Sequence, residues 1–268
     1  MFDLNRYFAR IGYFGERSPT LETLRELHFH HTQTIPFENL NPLLGWPVDL
    51  HPNALQEKLI QMRRGGYCYE QNLLFRHALD AIGFHTTGLA ARVSWNNPEG
   101  VVLPRTHMLL RVDLNGRTYI ADVGFGNLTL TTPLRLESDI EQTTPHEPFR
   151  ITEDGGEFLL QAKLRDTWNT LYSFTLQPQL LPDYEMANWY VSRHPKSRFV
   201  KDLIVARAAS ERRYALLNNE FAVHHLNGKT ERRALATVAE IREVLEGPMG
   251  LRLPAAPELD IALRRLTE

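Results

Sequence analysis

Up to Gly83 the apolar positions recur at helical spacing. Leu4, Phe8 and Ile11 share one face of a short opening helix. Ser18-Pro19 reads as an N-cap followed by proline at the first helical position, with Leu21, Leu24, Leu27 and His31 on the buried side of the next helix. That helix must stop before Pro36, because proline disfavours helical backbone at the residue it follows. Leu55, Leu59 and Met62 mark a third helix over 52–64, stopped by Gly65-Gly66. Leu74, Ala78 and Ala81-Ile82 mark a fourth, which begins at Cys68 and ends at Gly83.

Beyond Gly83 the period switches to alternation, and 89–93, 107–114 and 118–123 read as strands. Asn115-Gly116 between the last two is a strong signal for a tight hairpin. A two-residue turn there pairs Leu114 with Arg117, so Asp122 faces Leu109 and His107 faces Gly124. Side chains alternate along strands, so His107 and Asp122 fall on one face as diagonal neighbours, ~7–8 Å apart. The other face, with Met108, Leu110 and Val112 against Tyr119, Ala121 and Val123, is core; Gly124 leaves room beside the histidine. Runs at 149–151, 158–160 and 172–176, broken at Asp154-Gly155-Gly156, extend this sheet toward a barrel or sandwich. Pro178 and Pro182 mark a loop, and a helical segment starts at Asn188-Trp189-Tyr190 and breaks at His194-Pro195. Strands at 214–217 and 221–226, a turn at Asn227-Gly228, and helices on Val238, Ile241, Leu245 and on Leu259, Leu263, Leu266 complete the chain. The fold class is α+β. A helical bundle spans 1–84, a barrel or sandwich 85–188, and a connecting segment with an α/β unit 189–268.

Composition narrows the function classes. With a net charge of −2 the chain lacks the basic excess of nucleic-acid proteins. Its one cysteine excludes an internal disulfide and fits a reducing, cytoplasmic setting. The opening carries Asp3, Arg6 and Arg10 instead of an apolar stretch, so no signal peptide is expected, and no run approaches the ~18 apolar residues of a membrane span.

That one cysteine, Cys68, sits where a helix begins. A helix N-terminus offers unpaired N–H groups and the positive end of the macrodipole, which favour a thiolate. The plainer alternative is a small buried hydrophobe, the commonest fate of a free cysteine. His107 and Asp122 on one hairpin face supply the other two parts of a Cys-His-Asp triad, provided the hairpin packs against the Cys68 helix. His28, His30 and His31 invite a metal site, but only His28 and His31 could share a helix face. No third ligand, CxxC or HExxH accompanies that pair, and a surface or packing role explains the three better. Gly124-Phe125-Gly126 matches no phosphate-binding loop and reads as a turn lining a pocket.

Several motifs together resemble a known family. Arg64-Gly65-Gly66-Tyr67-Cys68 with Glu70 and Asn72, Ile35-Pro36-Phe37-Glu38-Asn39-Leu40, Arg105-Thr106-His107 and Ala121-Asp122-Val123-Gly124-Phe125-Gly126 look like the arylamine N-acetyltransferases. So do Asn188-Trp189-Tyr190 and His194-Pro195 with Ser197 and Phe199. Tyr69 departs from the phenylalanine usual in bacterial members. The resemblance implies a helical bundle, a β-barrel and an α/β lid, the first two like the core of transglutaminases and papain-like cysteine proteases. It implies ping-pong acetyl transfer from acetyl-CoA to arylamines or arylhydrazines through acetyl-Cys68, with no metal and no permanently bound cofactor. Phe37, Phe125 and Phe199 resemble the pocket aromatics, and Arg64 with Glu38 a structural ion pair. An amide hydrolase or a transglutaminase-like acyl transferase is the alternative, because the same triad serves either chemistry.

Overall fold

In the computed structural model, residues 2–97 and 101–268 are described. The opening helix α1 (Leu4–Ile11) begins at Asp3, whose carboxylate accepts the Arg6 N–H. Helix α2 (Leu21–Thr34) is capped by Thr20 and not by Ser18: Thr20 Oγ1 accepts the Thr23 N–H, while Thr20 gives its own N–H to the Ser18 carbonyl. Both residues carry a capping oxygen, and the one adjoining the first apolar position took the role. Its Leu24, Leu27 and His31 are fully buried, and it ends before Pro36 as expected.

Strand β1 (Phe37–Glu38), the short α3 (Leu40–Leu43) and α4 (Pro52–Leu55) come next. The expected helix over 52–64 then changes character. Gln56–Gln61 is a π-helical segment, in which Met62 donates to the Glu57 carbonyl. An i→i+5 turn breaks the 3.6-residue phase. Leu55, Leu59 and Ile60 therefore face inward, while Met62 is 48% exposed. The chain leaves the segment through Arg63 at φ +53°, and Gly65-Gly66 serves close approach instead of stopping a helix. A Cβ on Gly65 would stand 2.1 Å from the Pro36 carbonyl oxygen.

Helix α5 (Cys68–Ile82) starts at the cysteine and ends in a left-handed Gly83, as the pattern indicates. Its buried side carries Leu74, Phe75, Ala78 and Leu79, whereas Ala81 is exposed.

Strands β2 (His85–Val93), β3 (Arg105–Leu114), β4 (Arg117–Ala121), β5 (Leu134–Arg135), β6 (Phe149–Asp154), β7 (Glu157–Leu164) and β8 (Thr167–Phe174) form one antiparallel sheet in the order β5-β4-β3-β2-β8-β7-β6. Gln142 and Phe149 exchange both backbone hydrogen bonds, so the segment after β5 nearly closes the sheet into a barrel. Asn115 (φ +51°) and Gly116 (φ +73°) make the tight turn, and Leu114 pairs with Arg117. The ladder ends at Leu110–Ala121, so Asp122 lies just past the strand. Both faces of this hairpin are core. Met108, Leu110, Val112, Tyr119, Ala121 and Val123 pack with the helices, while Leu109 and Ile120 fill the barrel. The face expected to be less apolar is therefore the barrel interior.

Helix α6 (Leu181–Arg193) begins seven residues before Asn188, because Pro182 occupies its first turn, where a missing N–H is tolerated. Strands β9 (Ile204–Ala209), β10 (Arg212–Leu217), β11 (Glu220–His225) and β12 (Thr230–Ala234) follow, then α7 (Val238–Glu246) and α8 (Pro257–Arg265). The second sheet runs β1-β9-β10-β11-β12, so a strand from the N-terminal region forms one of its edges. Sequence pattern missed β9 and β12. The first lacks polar alternation, and all five residues of the second are exposed.

Gly65→Ala should lower stability by about 1–3 kcal/mol through overpacking against Pro36, read as a lower denaturant midpoint at unchanged m-value.

Candidate active site

Cys68 is the first residue of α5, and its helix start is built from its neighbours. Tyr67 is the N-cap, and its backbone N–H is accepted by Glu70 Oε2 at 3.1 Å. The thiol is buried, and Sγ lies 3.6 Å from the Thr106 carbonyl oxygen. Thr106 is turned there by a β-bulge: His107 pairs with Ala91 and Arg105 with Arg92, leaving Thr106 opposite no residue. The hairpin does pack against the Cys68 helix. Gly124 is what permits it, since a Cβ there would meet Cys68 Cα and Asn72 Nδ2 at 2.8 Å. Its missing side chain leaves room for α5 and not, as expected, for the histidine.

His107 Nε2 donates to Asp122 Oδ2 at 2.7 Å, with both residues buried. Nδ1 is thereby left for the thiol side of the ring. Burial alone would lower the His107 pKa. The Asp122 charge and hydrogen bond outweigh it, with a further contribution from Cys68, and push the imidazole up to about 10.

Asp122 is itself fully buried, and each of its oxygens has two donors. Oδ2 also takes the Tyr172 hydroxyl at 3.0 Å, while Oδ1 takes Asn72 Nδ2 at 3.0 Å and the Gly124 N–H at 2.9 Å. Burial pushes this carboxyl up, but His107 and these hydrogen bonds hold it below its ordinary value. On the backbone side, the Asp122 N–H is accepted by His28 Nε2 at 3.2 Å, and Thr129 Oγ1 donates to its carbonyl. Burial drives His28 down to about 3, so it is neutral.

Four of these partners, Asn72, Tyr172, His28 and Thr129, were not assigned a site role from sequence. Asn72 had a visible signal, since it stands four residues after Cys68 and shares its helix face. It also donates to the Met108 carbonyl and accepts from the Val123 N–H, stitching α5 to the hairpin. Tyr172 had none: it comes from β8, and only barrel curvature brings its ring to 4.9 Å from that of His107. The histidines at 28 and 31 are core polar groups, His31 lying between the Tyr7 hydroxyl and Gln71 Oε1. Among the described residues no group of three or more His, Cys, Asp or Glu side chains is arranged to hold a metal ion.

The predicted aromatics fall into two groups. Phe125 stands edge-on to His107, 5.2 Å between centroids, and packs on Tyr172. Phe37 lies 6.0 Å from Phe199, which also approaches Tyr67. Gly126 joins the groups, since a Cβ on it would touch the Phe37 ring at 3.7 Å. Arg64 and Glu38 form the expected buried ion pair, with Nη2 and Nε at 2.7 and 2.9 Å from Oε1.

Comparison with known proteins places the chain and its fold among N-acetyltransferases. A family model described as N-acetyltransferase matches residues 20–258. An arylamine N-acetyltransferase of Mycobacterium tuberculosis is 44% identical over 99% of this chain and 95% of its own length. One from Escherichia coli is 42% identical over 92% and 88%. Among solved structures, the Mycobacterium tuberculosis arylamine N-acetyltransferase superimposes with a TM-score of 0.94 at 44% identity, covering 97% of this chain and 99% of that one. The Mycobacterium marinum enzyme in complex with CoA gives 0.95 at 38% identity, covering 99% and 100%.

Asp122→Asn removes the charge that raises His107 while burial remains, so the imidazole titration followed by NMR should move from about 10 to below the ordinary ~6.5. A raised folded pKa stabilises the protein fully below the unfolded value and loses that contribution as pH rises through the folded one. The parent should therefore lose His107-linked stability as pH approaches about 10, and the variant should not. Tyr172→Phe, which deletes one hydrogen bond to the buried carboxylate, should cost about 1.5–3 kcal/mol in chemical denaturation.

Proposed function

The chain belongs to the arylamine N-acetyltransferase family, and from that premise we propose that Cys68, His107 and Asp122 carry its acetyl transfer. The enzyme is an acyltransferase, and acetyl-CoA is its donor. The single observation that carries the residue assignment is the buried His107–Asp122 pair set against the helix start that presents Cys68.

In the first half-reaction the Cys68 thiolate, paired with the His107 imidazolium, attacks the acetyl-CoA carbonyl through Sγ. The bond from that carbonyl to the CoA sulfur breaks, and the imidazolium returns the proton to CoA. In the second, the amine nitrogen attacks acetyl-Cys68, His107 takes its proton, and the bond to Sγ breaks to release the amide. Asp122 fixes the tautomer and stabilises the imidazolium in both. The N–H of Cys68, at a position where a helix leaves donors unpaired, serves the oxyanion. Burial of Cys68 and His107 keeps water from the thioester, which favours an amine acceptor over hydrolysis.

Phe37, Phe125 and Phe199 form the wall for the acceptor's aromatic ring, an arylamine or arylhydrazine. The functional division is a bundle over 1–84 bearing the nucleophile, a barrel over 85–188 bearing base and carboxylate, and a lid region over 189–268. In this reading the first two correspond to a transglutaminase-like core. No helix among the described residues is long and apolar enough to cross a membrane, and with a lone free cysteine this supports a cytoplasmic enzyme.

Mixing the protein with acetyl-CoA and no acceptor should add one acetyl group by intact-mass spectrometry, and an arylamine should discharge it. Cys68→Ala should show no adduct and no turnover at unchanged secondary structure; an adduct on that variant would remove Cys68 from the role.

A further inference from the structure

Behind the nucleophile lies a charged group that the acetyl-transfer steps do not use. Glu38 and Glu70, 0% and 1% exposed at their side chains, are buried close to one another. Glu38 is well supplied: Arg64 donates to Oε1 through two nitrogens and the Leu40 N–H reaches Oε2 at 2.6 Å. Among the described residues Glu70 has a single cation, Lys58, whose Nζ lies 2.6 Å from Oε1 and also 3.8 Å from Glu38 Oε1. The other oxygen of Glu70 holds the Tyr67 N–H, the cap of the helix on which Cys68 is the first residue. Lys58 reaches this place from the middle of the π-helical segment, where its own carbonyl accepts the Arg64 N–H at 3.1 Å. Gly66 keeps the approach open, since a Cβ there would sit 2.8 Å from Glu70 Oε2.

We infer that Lys58 is a positioning residue for the nucleophile: it anchors Glu70 as the cap that sets the start of α5, and the π-helical turn exists in part to deliver it. The inference rests on Cys68 as nucleophile, but the structural half of it does not depend on turnover.

The groups facing Glu70 are Lys58 from the π-helical segment, Glu38 from β1 (with Arg64 beyond it) and Tyr67 at the cap. Burial already raises the Glu70 carboxyl, Lys58 opposes the rise and Glu38 adds to it. Without Lys58 the two remaining influences act together. Glu70 then stays protonated at low pH, and as pH rises it ionises as an uncompensated buried anion beside Glu38. A raised folded pKa means stability that is complete at low pH and lost on the alkaline side.

The experiment uses Lys58→Met, the conservative Lys58→Arg, and Lys58→Met combined with Glu70→Gln, which needs no counter-ion. Melting temperature and the rate of acetyl-Cys68 formation are read for each from pH 5.5 to 9. Lys58→Met should lose melting temperature relative to the parent as pH rises through the range in which Glu70 ionises, with a parallel fall in the rate. Lys58→Arg should follow the parent profile, and the double variant should lose the added pH dependence. A Lys58→Met defect equal at every pH, or one that Glu70→Gln leaves in place, would overturn the inference. Should Lys58→Met fail to fold, the double variant decides: a persistent alkaline decline counts against it. If the parent forms no acetyl adduct, the proposed chemistry fails, and the melting profiles alone still test the Lys58–Glu70 coupling.

Discussion

A single buried carboxylate sets the terms for the rest of this structure. Ionised Asp122 in a dry interior is tenable only if its charge is met from every side. Here the donors come from α5 (Asn72), β3 (His107), β8 (Tyr172) and the loop at Gly124. Each of these elements is held in register by the need to reach the same two oxygen atoms. The His107–Asp122 geometry and the docking of helix on barrel are thus one constraint.

The same logic is repeated one layer out. Glu38 lies on β1, the strand the N-terminal region contributes to the second sheet, so its pairing with Arg64 ties that sheet to the loop before Cys68. Asn39 strengthens the tie by donating to the Phe199 and Asp202 carbonyls and accepting the Ile204 N–H. The chain segment carrying Phe37 is therefore fixed between Gly66 on one side and β9 on the other. Phe37 and Cys68 thus share a rigid backbone frame, as the proposed site would need for chemistry that tolerates little misplacement.

Glycine acts here through what it omits. Gly65, Gly66 and Gly124 all have ordinary negative-side backbone, yet each meets another main chain or a capping carboxylate where a methyl would collide. The Arg64-to-Cys68 motif is accordingly a packing code around the thiol as much as a chemical one. Gly116, by contrast, is a conformational glycine that completes the hairpin turn with Asn115.

What the sequence determined by itself was whatever short-range geometry controls. The start of α5 at Cys68, the Asn115-Gly116 turn and the His107–Asp122 side of the hairpin all follow from periodicity and turn chemistry, which depend on neighbours a few residues away. Tertiary structure decided the rest. Tyr172 meets Asp122 only because the sheet curls, and His28 faces it only because α2 packs behind the loop. The π-helical turn at Gln56–Gln61 overrode an α-helical pattern, presenting Ile60 inward, exposing Met62 and bringing Lys58 to Glu70. Burial and charge neutralisation sum over elements distant in the chain, and no local pattern records that sum.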